Sequence, residues 1–152
     1  MKNEKALEVL NDLLRINNDR VEGYVKASEE SKERDLKSLF RDKADESRNI
    51  AMTLTQEITK IGGEPAVGDT TTSGKIYRVW MAVKATFNGK DREGILEACE
   101  YGEDAAQSAY KTALGDEDLS SELRELITEQ KSKLMVSHDE IKSKRDEAKI
   151  SL

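Results

Sequence analysis

The chain has 152 residues and a net charge of −6, and charged and apolar residues make up 37 % and 36 % of it. This length fits one domain spanning residues 1–152, and the balance of interspersed charges with a single proline is typical of long helices rather than of sheets. The acidic balance disfavours nucleic-acid binding, the lone Cys99 excludes an internal disulfide or a thiolate metal cluster, and no apolar run reaches the roughly 18 residues of a membrane span. We therefore expect a soluble, cytoplasmic protein.

The first half of the chain predicts two long helices. The first covers about residues 3–30, with a heptad seam that consists of Leu7, Leu10, Leu14, Asn17, Val21, Tyr24 and Ser28. A buried Asn17 would fix the register or the partner of this helix. The second helix covers about residues 35–61 and ends at Gly62-Gly63, where a left-handed cap is expected, followed by Pro65.

The second half begins with a connection, residues 63–90, that is too long for a tight turn and carries a short amphipathic helix around residues 76–87, closed by Asn88-Gly89. A third long helix, capped by Asp91, ends near Gly115, and a fourth spans about residues 121–148. Short turns within each half predict two antiparallel hairpins. The expected fold is all-α, a ferritin-like four-helix bundle with one long crossover that carries a short fifth helix.

Four segments in order carry a resemblance to a known family: LNDLLRINNDRVEGY, GGEP, ILEACEYGEDAAQSAY and SHDEIKSKRD. Together they resemble a bacterial family of small ferritin-like four-helix-bundle proteins, a domain of unknown function. The likeness covers about residues 7–146. It implies the ferritin-like fold with a helix in the crossover, and it implies no established reaction.

The carboxylates of the third long helix and the single histidine are candidate metal ligands. A di-iron bundle needs a glutamate from each of two helices and Glu-x-x-His from each of the other two. The chain has one histidine, His138, and Met135 stands three residues before it, so the di-iron motif is missing. A single Zn²⁺ or Mn²⁺ site remains open, and its candidate ligands are Glu97, Glu100, Glu103, His138 and Glu22.

The alternative for these carboxylates is an ion pair inside the bundle. Arg48, one position from the seam of the second helix, is the expected partner, because a half-buried carboxylate needs such a cation. The prediction is a polar layer formed by Asn17, Arg48 and one or more of the three glutamates, with His138 as a hydrogen-bonded imidazole.

An apolar face on the crossover helix predicts a contact with another molecule. It consists of Ile76, Val79, Trp80, Val83 and Phe87. Packing on its own bundle is the default use of this face, and a second copy of the chain and a membrane surface are the other two. Five apolar residues exceed what such packing needs to cover, so we expect part of the face to support self-association. Two functions follow: a non-catalytic interaction module, a homo-oligomer or a binder of another protein, without a cofactor; or a metal-binding ferritin-like protein linked to redox or stress chemistry.

Overall fold

A computed structural model describes residues 2–85 and 92–150 of the chain. These residues form five helices and no strand: α1 (Lys2–Glu30), α2 (Arg34–Lys60), α3 (Gly74–Ala85), α4 (Arg92–Leu114) and α5 (Ser121–Ile150). The all-α prediction is confirmed for this part of the chain. Phe87, Asn88-Gly89 and Asp91 lie outside the described residues. None of the five helices combines the length and the hydropathy that crossing a bilayer demands.

Glycines end α2 in the way the sequence predicts. Gly62 has a φ of 86°, and its N–H donates to the carbonyl of Thr59 at 3.0 Å. The N–H of Gly63 donates to the carbonyl of Ile58 at 2.9 Å. This is the pair of hydrogen bonds of a Schellman motif, which satisfies the last carbonyls of the helix.

The helices α1 and α2 form an antiparallel hairpin. Near their turn, the Ser28 hydroxyl donates to the carbonyl of Lys37 at 2.9 Å. At the far end, the side chain of Leu7 lies against the backbone of Gly63. The first contact joins residues close to the turn in sequence, and the second joins residues far from it on both sides. Two helices that make both contacts must run in opposite directions.

The helices α4 and α5 form a second antiparallel hairpin. Arg124 closes its turn by donating to the carbonyl of Leu114 at 2.6 Å. Further along, the Gln107 amide donates to the carbonyl of Lys131 at 3.0 Å. The two hairpins together supply the four long helices.

The connection between the hairpins starts and finishes at opposite ends of the molecule. It leaves α2 at Gly63, beside the start of α1, and α4 begins at Arg92, whose guanidinium pairs with Glu33 and with Asp35 at 2.6 Å. These two acids stand at the opposite end, where α2 begins. It follows that α2 and α4 point in the same direction.

Polar side chains of α1 hold the first part of this connection, and they are Asn11, Asn18 and Asp19. The Asn18 amide donates to the carbonyl of Asp69 at 2.7 Å. The buried carboxylate of Asp19 accepts from the Thr71 hydroxyl at 2.6 Å and from its N–H at 3.3 Å. The loop is thereby attached along α1 before it enters α3.

Trp80 of α3 fills the space between α1 and α4. It is 1 % exposed, and its indole lies between Gly23 of α1 and Gly102 of α4. A Cβ added at Gly102 would stand 2.7 Å from Cζ2 of the indole, so the ring fits only because both helices lack a side chain there. Trp80 and Val83 belong to the core of their own chain, so this part of the apolar face packs on the bundle and is not available for self-association. Ile76 and Val79 are half-buried.

Two apolar clusters make up the core. One contains Leu14, Leu54 and Ile127 near the closed end of the α4–α5 hairpin. The other contains Phe40 and Ile141, together with the Trp80 region, near the closed end of the α1–α2 hairpin. Buried polar side chains lie between the two clusters, and they form the candidate site.

Candidate functional site

An ion pair without solvent contact lies at the centre of the molecule. Nη2 of Arg20 on α1 stands 2.5 Å from Oε1 of Glu103 on α4, and both side chains are 0 % exposed. The Tyr24 hydroxyl, one turn after Arg20, donates to the same carboxylate oxygen at 2.5 Å. Charged hydrogen bonds of this length are the strong kind, and they compensate for the removal of both charges from water.

The guanidinium also contacts the remaining two long helices. Nη1 of Arg20 donates to the hydroxyl of Ser47 on α2, and Nη2 donates to the hydroxyl of Ser137 on α5 at 3.1 Å. Each of the four long helices therefore supplies a group to one layer, which we call the central layer: Asn17, Arg20, Tyr24, Glu46, Ser47, Glu103, Tyr110, Gln130 and Ser137.

Asn17 lies in this layer, where it extends the hydrogen-bond network. Its Oδ1 accepts from the Ser47 hydroxyl at 3.1 Å, and its Nδ2 donates to the Tyr110 hydroxyl at 3.0 Å. The Tyr110 hydroxyl donates in turn to Oε1 of Gln130 at 2.9 Å. The chain of bonds thus runs from α2 through α1 and α4 to α5.

The surroundings of the ion pair keep the neighbouring groups protonated. Burial would lower the pKa of Arg20, but the charge of Glu103 raises it above its ordinary value. Burial, and then the Glu103 carboxylate, raises the pKa of the Tyr24 hydroxyl and of the Cys99 thiol. Cys99 is therefore a protonated thiol and a weak nucleophile.

A second carboxylate approaches the guanidinium from α2. Oε1 of Glu46 stands 3.7 Å from Nη2 of Arg20. Burial raises the pKa of Glu46, while the charge of Arg20 opposes that rise. Among the described residues, Oε1 of Glu46, Oε2 of Glu103 and Nε of Arg20 are buried without a hydrogen-bond partner.

The three glutamates at spacing three diverge around α4. Each step of three residues turns by about 300°, so Glu97 and Glu103 stand about 120° apart on the helix. Glu103 faces the central layer, Glu100 pairs with Arg145 of α5, and Glu97 accepts a hydrogen bond from Tyr101 at 3.3 Å. The candidate ligands on this helix serve three different contacts.

His138 and Glu22 lie apart from the central layer. Nε2 of His138 stands 2.6 Å from Asp104 and Nδ1 stands 3.1 Å from Asp139. Glu22 is on the surface, 3.9 Å from Lys84. The five predicted metal ligands are not brought together, and residues 2–85 and 92–150 contain no group of three or more His, Cys, Asp or Glu arranged to hold a metal ion.

Arg48 is not the arginine of the central layer, which corrects the sequence prediction. Its side chain is 51 % exposed and pairs with Asp45, three residues earlier on α2, at 2.7 Å. The inward position is Ser47, and one further residue turns the side chain by about 100° towards solvent.

The sequence contained a signal for Arg20. The positions Leu13, Asn17, Arg20, Tyr24 and Ala27 also alternate steps of four and three, and all five are buried. This second seam was not recognised because it contains Arg20, and an arginine is rarely inside a protein unless it is paired.

The sequence comparisons complete the description of the site. The model of a family described as a domain of unknown function (DUF2383) matches residues 5–116, from α1 to the turn after α4. No curated protein matches the chain. The matched segment includes Arg20, Glu46 and Glu103, while Ser137 follows it.

Proposed function

We propose that this chain, which belongs to the DUF2383 family of domains of unknown function, is a single-domain ferritin-like four-helix bundle that acts by binding and not by redox catalysis. The direction of the helices supports the fold proposal. Two antiparallel hairpins joined by one lengthwise connection, with α2 and α4 pointing the same way, are the arrangement of ferritin-like bundles.

The position of Arg20 is the observation that carries the non-catalytic proposal. In a di-metal carboxylate bundle, carboxylates from facing helices meet at the centre and share two cations. Here Glu103 of α4 and Glu46 of α2 approach the guanidinium of Arg20, which supplies a permanent positive charge between them. The residues at the centre therefore do not fit an iron pair.

Metal analysis tests this proposal. Protein purified without added metal, chelator or metal-affinity resin should contain no stoichiometric iron pair and should not accelerate the oxidation of Fe²⁺ by oxygen. Two irons per chain, together with oxygen-dependent oxidation of Fe²⁺, would contradict it. If Arg20→Met is assayed in the same way, Arg48→Met is its matched control, because it makes the same change at a surface arginine.

A second candidate function is the binding of one divalent cation. Oε1 of Glu46 and Oε2 of Glu103, which are buried and accept no hydrogen bond, favour it, because carboxylate oxygens are ligands for Mn²⁺ and Zn²⁺. Calorimetric titration with each metal distinguishes the two functions. Metal binding by the wild type that disappears in Glu46→Gln supports this second function. Metal binding by Arg20→Ala but not by the wild type supports the first function, because the guanidinium then takes the place of a cation.

The partner that we propose is a second copy of the chain, bound through the outer side of α3. Trp80 and Val83 are buried. The apolar side chains of α3 that a partner can reach are that of Met81, which is 44 % exposed, and those of the half-buried Ile76, Tyr77 and Val79. Light scattering at micromolar concentration should give a dimer mass for the wild type and a monomer mass for Met81→Lys. A wild-type monomer at every concentration contradicts this contact, and so does a dimer of Met81→Lys. If the wild type is a monomer that binds a different protein through Met81, the proposal of a second copy as the partner is wrong.

A further inference from the structure

A cleft of about 450 Å³ lies between α1, the start of α3 and α4, outside the central layer. Its apolar lining consists of Val9, Leu13, Ile16, Ile76, Ala109 and Ala113. This volume falls in the range of about 300–1,000 Å³ that is typical of small-molecule sites. Most of the lining stands on helices, so the cleft does not need to be assembled by a ligand.

The cleft continues the groove between α1 and α4 that Trp80 occupies. Ile76, one turn before Trp80 on α3, lines its inner end. At Trp80 the groove takes a flat aromatic ring because Gly23 and Gly102 have no side chains. Further along α4, Ala109 and Ala113 line the cleft with side chains of a single methyl group.

The charges at the rim indicate what kind of molecule fits. Among the side chains that the structure describes, three carboxylates stand there, Glu8, Asp12 and Asp116, with one ammonium group, that of Lys5. Arg15 pairs with Asp12 at 3.3 Å, and Nη2 of Arg124 donates to the backbone carbonyl of Asp116 at 2.7 Å. Among the described residues, Glu8 is therefore the rim carboxylate without a neighbouring guanidinium. A cation at the mouth of the cleft would meet favourable charges while its apolar part contacts the lining.

We infer that this cleft binds a small cationic amphiphile, with a ring or short chain against the half-buried Val9 and Ala109 and an ammonium group at the rim beside Glu8. The inference goes beyond the proposed function, because it concerns neither the central layer nor the outer side of α3. Its two parts are separable: the apolar lining sets the affinity for the body of the ligand, and the rim sets the preference for positive charge.

Three indole compounds test the two parts together. Tryptamine carries an ammonium group, indole carries no charge and indole-3-acetate carries a carboxylate, while the ring is the same. In ligand-detected NMR at low ionic strength, tryptamine should bind about tenfold more tightly than indole, and indole-3-acetate more weakly than either. Equal affinities for tryptamine and indole-3-acetate would overturn the charge preference, and no binding of tryptamine at millimolar concentration would overturn the site.

Variants place the binding in the cleft. Ala109→Leu fills the lining and should abolish tryptamine binding, and Glu8→Gln with Asp116→Asn should reduce tryptamine to the affinity of indole. Glu125→Gln on the exposed side of α5 is the matched charge control and should bind as the wild type does. Thermal melting confirms that each variant is folded.

Other occupants of the cleft have their own outcomes. A wild-type dimer that Ala109→Leu converts to a monomer would mean that a second copy fills the cleft, and it would overturn the inference. If Ala109→Leu still binds tryptamine, the ligand lies outside the cleft, and this result would also overturn the inference. Ethylammonium, which has the charge without the ring, should not bind, and binding as tight as that of tryptamine would reduce the site to a non-specific acidic surface.

Discussion

Arg20 and Glu103 are 83 residues apart in the chain and join the two hairpins through a 2.5 Å contact that no solvent reaches. Burying an ion pair gives little net stability, because both charges lose their hydration. Its geometry is nevertheless demanding, since Ser47 and Ser137 bind the same guanidinium. A shift of one helix by one turn would separate these groups, so we expect the pair to fix the register of the four long helices.

Removing the positive charge alone should destabilise the fold strongly. Arg20→Met leaves Glu103 buried without a cation, and we expect the free energy of unfolding to fall by about 3–5 kcal/mol. Arg20→Met combined with Glu103→Leu removes both charges and should recover at least half of that loss. Urea unfolding measures all three proteins.

Arg48→Met is the control for this prediction, because it makes the same change on the surface. Its free energy of unfolding should differ from that of the wild type by about 0.5 kcal/mol or less. Equal losses for Arg20→Met and Arg48→Met would contradict the assignment of Arg20 to the central layer.

A methyl group between α4 and Trp80 should also destabilise the fold. In Gly102→Ala the new Cβ overlaps the indole, and the expected loss is about 1–3 kcal/mol, although alanine is the better helix former. Thermal and urea unfolding should show partial recovery when Trp80→Phe is added, because the smaller ring makes room. Ser108→Ala, on the exposed side of α4, should change little, and a neutral Gly102→Ala would contradict the close fit.

The contact of His138 predicts a pH-dependent stability. Burial disfavours the charged ring, but hydrogen bonds to Asp139 and Asp104 outweigh it and raise the pKa of His138 above 6.5. The folded state therefore favours the protonated ring. Its contribution is complete below pH 6.5 and disappears as the pH rises through the higher pKa of the folded state.

The difference in melting temperature between wild type and His138→Gln measures this contribution. It should be largest near pH 5 and should shrink towards about pH 9. His138 is the only histidine of the chain, so no second imidazole complicates the profile. A difference that is constant or grows with pH would refute the assignment.

Loss of Asp19 should release the loop that precedes α3. Asp19→Ala removes both hydrogen bonds to Thr71, and we expect a loss of about 1–2 kcal/mol and faster hydrogen exchange at the Thr71 amide. Asp19→Asn keeps an acceptor and should lose less. Asp42→Ala, an exposed change on α2, is the control and should leave exchange at Thr71 unchanged.

The sequence predicted the helices well because their signals are local. Apolar spacing gave the five helices, and Gly62-Gly63 before Pro65 gave the end of α2 with its hydrogen bonds. The lengthwise connection followed from the unequal loops. Each of these features depends on residues that are neighbours in the chain.

The central layer and the site of Trp80 depend on distant residues, and the sequence predicted them only in part. The sequence predicts Asn17 and one or more of the three glutamates of α4 in a polar layer, and in the structure Asn17 and Glu103 lie there. Naming Arg20 in place of Arg48 required knowing how α1 and α2 rotate against each other. For the apolar face that contains Trp80, the sequence left packing on the bundle and self-association both open, because Gly23 and Gly102 make room for the indole only when α1 and α4 are adjacent. Side-chain periodicity indicates which face of a helix is apolar. It does not indicate the shape of the neighbouring helices against which that face packs.

The position of Trp80 makes it an optical reporter of assembly. It is the only tryptophan of the chain, and its ring touches α1 from one hairpin and α4 from the other. Each hairpin consists of contacts that are local in sequence and should form early, whereas the indole leaves water only when the two halves meet. Stopped-flow fluorescence should therefore follow the docking of the halves, while far-ultraviolet circular dichroism follows the earlier growth of the helices.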